Sequence, residues 1–255
     1  MTRPGPRGIP YGASVASTHR QIFAFSGVLS ADPGRSGSLL VAHALSLAPR
    51  PGVRRVCYIP TAVGDAVEAI DAQRARVESL PGAEFSVLRL FPQPSVPDVR
   101  AHLLSQDLIL VEGGSVVNLL AVWRAHGLPS VLRECWESGV VLAGASAGSL
   151  CWHLGGPTDS FQDSLDPFTD GLGFLPYSNG VHDDFGDQPR RETYRKLVAD
   201  GALAAGYATE DGVGLHYVGT DLHEAVSIRS RAVAWWVEPT PAGGWAEKAI
   251  EPRQI

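Results

Sequence analysis

The chain has 255 residues, enough for one large α/β domain or two small ones with a substantial core. Apolar residues make up 44% and charged residues 19%, a balance that excludes general disorder. The net charge of −6 argues against nucleic acid or an anionic membrane as a partner.

No apolar run reaches the ~18 residues of a membrane span, so no membrane association is expected. The N-terminus "MTRPGPRGIPYGAS" lacks the apolar stretch of a secretory signal, and a cytoplasmic protein is expected. Cys57, Cys135 and Cys151 are odd in number, widely spaced and without a C-x-x-C pair. They read as buried reduced thiols rather than a disulfide framework or zinc knuckle.

In chain order, residues 1–19 are rich in Pro, Gly and Ser and read as a flexible arm, with residues 20–255 forming one α/β/α domain. "QIFAFSG" (21–27) is a short apolar run and a buried strand. "GSLLVAHALSLA" (37–48) has helical spacing, "RRVCYIPTA" (54–62) is a second strand, and 64–80 is an amphipathic helix. "AEFSVLRLF" (83–91) is a third strand and 95–106 a short helix. "DLILVEGG" (107–114) is a fourth strand, 115–127 and 128–139 are helical, and "VVLAGAS" (140–146) is a fifth strand. Continuous apolar strands alternating with helices indicate βαβ units and a parallel sheet covered on both faces. After residue 153 the chain is turn-rich and polar, as functional loops are. A helix follows at 191–199, with strands near 212–219, 224–229 and 232–238, the last two resembling a terminal hairpin or meander.

The strongest motif is "GASAGS" at the end of the fifth strand, a strand–turn–helix of the form G-x-S-x-G. Gly144 permits a sharp turn and Gly148 a close strand–helix approach. Ser146 then stands at the tip as a nucleophile, with the Ala147 N–H turned toward a developing oxyanion. The competing reading is that Ser146 simply caps the helix. A nucleophilic hydroxyl needs a base, and the base an orienting acid. Of the eight histidines, His182 in the polar loop "SNGVHDDFGD" is the best placed. His19, His43, His102 and His126 read as surface or packing residues. His153 sits too far along the new helix, and His216 and His223 fall in late strands or turns. Asp159, Asp163, Asp166 and Asp170 all lie between serine and histidine, and spacing does not choose among them. A second glycine pair, Gly113 and Gly114 after "LILVE", can offer another oxyanion donor or be a plain βα turn.

"VEGG", then "GASAGSLCW", then "GLGFLP" followed by a histidine and an arginine-containing helix, resembles the peptidase E and cyanophycinase family of serine peptidases over residues 54–240. The resemblance implies a three-layer α/β/α fold like that of class I glutamine amidotransferase domains, with a largely parallel central sheet and a nucleophile elbow. It implies Ser146 as nucleophile, His182 as base and N–H donors from Gly114 and Ala147. The family acid precedes its histidine by about the 23 residues that separate Asp159 from His182, which favours Asp159, with Asp163 in reserve. Arg190 or Arg191 would read an acidic substrate side chain, and Glu210 would hold the substrate amine. The implied reaction is hydrolysis of short peptides such as Asp-X dipeptides through an acyl-enzyme, without metal or organic cofactor. The expected partners are the peptide and, for assembly, a second copy in a homodimer. Two departures stand out: "FSGVLSAD" replaces the glycine cluster after the first strand, and Ser115 replaces the Asn that often follows the glycine pair. The rival functions are an α/β-hydrolase esterase and a non-catalytic binding module. A metal site built from His182, Asp183, Asp184 and Asp187 lacks standard ligand spacing.

Overall fold

The computed structural model describes residues 20–27, 35–49 and 52–255, so the arm expected over residues 1–19 lies outside the described residues. The first half of the chain alternates strand and helix: β1 (Gln21–Phe25), α1 (Arg35–Ser46), β2 (Arg54–Ile59), α2 (Val67–Glu78), β3 (Ala83–Val87), α3 (Val99–Leu104), β4 (Leu108–Val111), α4 (Val116–Ala125), α5 (Leu128–Glu137) and β5 (Val141–Ala145). A single helical turn, α6 (Ala147–Leu150), follows, then β6 (Gly156–Thr158), β7 (Asp166–Phe168), β8 (Ser178–Val181), α7 (Arg190–Ala199) and β9 (Gly206–Thr209). The chain ends with β10 (Val213–Val218), β11 (Asp221–Ser227), β12 (Ala234–Pro239), β13 (Trp245–Ile250) and β14 (Arg253–Gln254).

An eight-stranded sheet runs β14-β11-β10-β1-β5-β4-β2-β3. Its β1, β5, β4, β2 and β3 are mutually parallel, whereas β10 and β11 extend it antiparallel beyond β1. Successive side chains of a strand face opposite ways, and here both faces are buried. Phe23, Phe25, Val56, Tyr58, Leu108, Leu110, Val141 and Ala143 pack with Leu40, Val41, Ala44 and Leu45 of α1 and Ile70 and Val77 of α2. Their neighbours Ile22, Ala24, Cys57, Ile59, Ile109, Val111 and Leu142 pack on the other face with residues of α3 to α6, including Trp123, Leu132, Trp136 and Leu150. The result is the three-layer α/β/α arrangement. Each fully buried Leu, Ile or Phe contributes about 1.5–3 kcal/mol relative to exposure, so this double interface dominates the stability.

Local sequence sets the helix starts. The Asp98 carboxylate accepts the Ala101 N–H at 2.9 Å, and Ser115 Oγ accepts the Asn118 N–H at 3.2 Å. Ser115 is thus the cap of α4.

Three expectations are corrected. The third strand ends at Val87 rather than residue 91, because the chain turns off the sheet edge and the Leu90 and Phe91 N–H groups donate to Asp65 Oδ2. The strands expected near 224–229 and 232–238 do not form a hairpin together. β11 pairs with β10 in the large sheet, while β12 pairs with β9 and β13 in a second sheet ordered β13-β12-β9-β8. Strands β8 and β9 were not foreseen, and they carry much of the site. Among the described residues no helix is long and apolar enough to cross a membrane.

Candidate active site

Ser146 follows the last residue of β5 and adopts φ 53° and ψ −113°. This backbone region costs a non-glycine residue of order 1–3 kcal/mol and persists only when the surroundings impose it. Tight packing imposes it here. A Cβ on Gly144 would lie 2.1 Å from the Gly148 carbonyl oxygen, and one on Gly148 would lie 2.5 Å from that of Val111. Glycine at both positions lets α6 fold back onto β4 and β5. Gly144→Ala is accordingly expected to destabilise the protein by at least about 2 kcal/mol, read as a lower urea midpoint at unchanged m-value. The Ser146 hydroxyl is not spent on capping α6. It meets His182 Nε2 at 2.8 Å.

His182 follows β8, and its backbone is also left-handed, at φ 60°. Its Nδ1 meets Asp211 Oδ1 at 2.5 Å. Asp211 lies between β9 and β10. Strands β8 and β9 pair in parallel with Val181 opposite Thr209, so the chains leaving their carboxyl ends emerge side by side. Register alone therefore brings the segments carrying His182 and Asp211 together. Asp211 is held in turn: its N–H donates to Asp184 Oδ1 at 2.8 Å, and its carbonyl accepts from Arg229 Nη1 at 2.8 Å. Arg229 also pairs with Asp184 Oδ2 at 2.7 Å. Burial alone would raise the Asp184 pKa, but the Asp211 N–H and Arg229 outweigh it and hold the carboxyl below its ordinary value.

Asp159 does not reach the imidazole. It pairs with Arg190 Nη2 at 2.8 Å and accepts from Gln188. The expectation that it orients His182 is thus corrected to Asp211. The sequence reading missed Asp211 because it sought the acid between serine and histidine. The available signal was "ATEDG", an acid and glycine directly after a short strand. Asp163, the reserve choice, likewise has no bond to His182, whose Nδ1 is taken by Asp211. Glu210, expected to hold a substrate amine, instead has Oε2 accepting the Val233 N–H at 3.1 Å. Arg191 donates to Asp183 and Glu247, both at 2.8 Å, and lies over Trp235, so its guanidinium braces α7 against β13. Buried Arg195 pairs with the same two carboxylates. Burial raises the Asp183 pKa, and the two arginines oppose that rise. Asp183 and Asp184 thus go to arginines rather than converging with His182 on a metal.

Arg190 keeps only 10% of its side-chain surface exposed, and its Nε is buried without an acceptor among the described residues. Burial lowers its pKa, opposed by Asp159 and then Asp211. It lines a cleft of about 320 Å³ with Asp183, Phe185, Gln188 and Trp245.

The second glycine pair lies beside Ser146, with Gly113 packed against its side chain. The Gly113 N–H is occupied by Glu112 Oε1 at 3.0 Å, while Ser115 N–H donates to Ala62 O at 2.9 Å. Neither the Gly114 nor the Ala147 N–H has a protein acceptor among the described residues. Glu112 is buried, which raises its pKa, and the Tyr58 hydroxyl donates to its other oxygen.

Among the described residues, His153 and His216 are bonded elsewhere. His153 is fully buried with Nδ1 at 2.9 Å from the Ser149 carbonyl, and burial lowers its pKa to about 4. His216 bonds Gln21 and is lowered to about 4, chiefly by burial. The three thiols are buried, and desolvation raises Cys57 and Cys135 to about 12 and lifts Cys151 as well.

Comparison with known proteins bears on the family and the fold. The sequence profile of peptidase family S51 matches residues 36–225. An uncharacterized peptidase of Bacillus subtilis (strain 168), YgaJ, is 40% identical over 185 residues, covering 72% of this chain and 77% of that protein. Among solved structures, a peptidase from an acI-B1 Actinobacterium superposes with a TM-score of 0.67 at 18% identity, over 91% of this chain and 94% of that one. A candidate peptidase E from Listeria monocytogenes EGD-e superposes at 0.60 and 19% identity, over 82% and 99%. These two share the fold. The profile match spans most of the chain, and on that ground the chain belongs to peptidase family S51 and is a serine peptidase.

Proposed function

We propose that this peptidase cleaves short peptides through an acyl-enzyme formed on Ser146, with preference for an acidic residue at the scissile bond. The observation that carries the reading is the pair of contacts on one imidazole: Nε2 to Ser146 Oγ at 2.8 Å and Nδ1 to Asp211 Oδ1 at 2.5 Å. In this mechanism Nε2 takes the hydroxyl proton as Oγ attacks the scissile carbonyl. Asp211 fixes the Nδ1–H tautomer and stabilises the imidazolium. The imidazolium then protonates the leaving amine, and a water repeats the sequence to release the acid. Gly114 and Ala147 supply N–H groups to the tetrahedral oxyanion, each worth about 3 kcal/mol at the transition state.

Arg190 is the residue that supports acidic selectivity. Its planar donors suit a carboxylate, it already holds that of Asp159, and its buried Nε has no acceptor among the described residues. Arg191 is committed to Asp183 and Glu247 and takes no part. A panel of Asp-X, isoaspartyl and neutral dipeptides tests the proposal. Asp-X peptides are expected to be cleaved fastest, and Arg190→Ala to remove the difference between acidic and neutral substrates. Equal cleavage of acidic and neutral peptides by the wild type would leave a serine peptidase without the acidic preference.

A further inference from the structure

The dipeptide Phe25–Ser26, at the carboxyl end of β1, touches all three loops of the site. The Phe25 carbonyl accepts the Ser146 N–H at 3.1 Å. The Ser26 carbonyl accepts the N–H of Gly212, next to Asp211, at 3.0 Å. Ser26 Oγ accepts the backbone N–H of His182 at 3.1 Å, and shares a 2.6 Å contact with Thr209 Oγ1. Ser26 is completely buried. A glycine at position 26 could keep the backbone bonds but not the bond to His182.

We propose that Ser26 is a positioning residue: its hydroxyl holds the left-handed His182 backbone so that the imidazole stays between Ser146 and Asp211. The physical reasoning has two parts. His182 at φ 60° occupies a strained region that outside bonds must maintain. Its N–H is buried, and Ser26 Oγ is the acceptor it has. Removing that acceptor leaves an unsatisfied donor, and the loop relieves it by rotating the peptide. The ring then moves relative to two partners that do not move with it, because Ser146 and Gly212 remain tied to main-chain carbonyls of β1.

The proposal rests on the Ser146–His182–Asp211 reading, and its test separates the two. Ser26→Ala removes the acceptor. Ser26→Cys is nearly isosteric, offers only a weak acceptor and guards against a cavity effect. Both are expected to lower kcat roughly 10- to 100-fold with KM unchanged, since displacing a reacting group by about 1 Å costs of order 100-fold. Both are also expected to shift or broaden the low-field proton resonance of the His182 imidazole, identified by its loss in His182→Ala. That resonance reads the geometry whether or not any peptide is turned over, so failure to find a substrate does not blur the result. Wild-type kcat and an unaltered resonance in folded Ser26→Ala or Ser26→Cys would overturn the proposal, as would a loss confined to KM.

Discussion

Ser146→Ala is expected to reduce kcat on any cleaved peptide by about a million-fold, with the fold intact. The size of the effect follows from how the groups act as a unit. Without Oγ, the imidazole at 2.8 Å has no proton to take, and the acyl-enzyme cannot form. What survives is catalysis by the oxyanion donors and by binding, of order 10³–10⁴ over the uncatalysed rate. A stopped assay at high enzyme concentration, with a fluorophosphonate label counting intact nucleophiles, checks it. Peptide turnover by the alanine variant at the wild-type rate would sink the assignment. Labelling confined to another serine would do the same.

Asp211→Asn is expected to lower kcat by about 10⁴, and Asp159→Asn by far less. The two carboxylates look alike in sequence but occupy different positions. Asp211 faces Nδ1 at 2.5 Å, so an isosteric amide there would stabilise the wrong tautomer and forfeit the support of the imidazolium. Asp159 is bonded to Arg190 and Gln188, and its loss frees a guanidinium rather than disturbing the imidazole. Its effect should appear mainly in KM for acidic substrates. Steady-state kinetics on both variants decide the matter. A larger kcat loss for Asp159→Asn would return the orienting role to that residue.

Most of the parallel half of the fold was legible because periodicity and burial coincide there. Strands β4 and β5 are apolar runs, as are the buried IFAF of β1 and VCYI of β2, and the helices between them carry one apolar face. The elbow was legible for a steric reason. Only glycine fits at 144 and 148, and that demand leaves a visible mark in the sequence.

The second half gave weaker signals. Strands β8 and β9, "SNGV" and "GYAT", are four residues long and lack a β-branched apolar run. Their register is settled by tertiary contact rather than by local propensity. Asp211 was missed as a consequence, since it meets His182 only through that pairing. His182 itself was found because it stood in a polar loop and the other histidines fell in helices, strands or the arm. The arginines were found as a pair, but sequence could not divide them. Arg190 and Arg191 are adjacent on a helix, so they diverge in direction, one toward Asp159 and one toward Asp183 and Glu247.

Ser146, His182 and Asp211 sit on strand-end segments tied to Phe25 and Ser26, whereas Asp159 and its surrounding loop hold none of them. The largely exposed turn between β6 and β7, residues 159–165, can consequently change composition without moving Ser146, whereas Phe174 and Leu175 further on are held in the core.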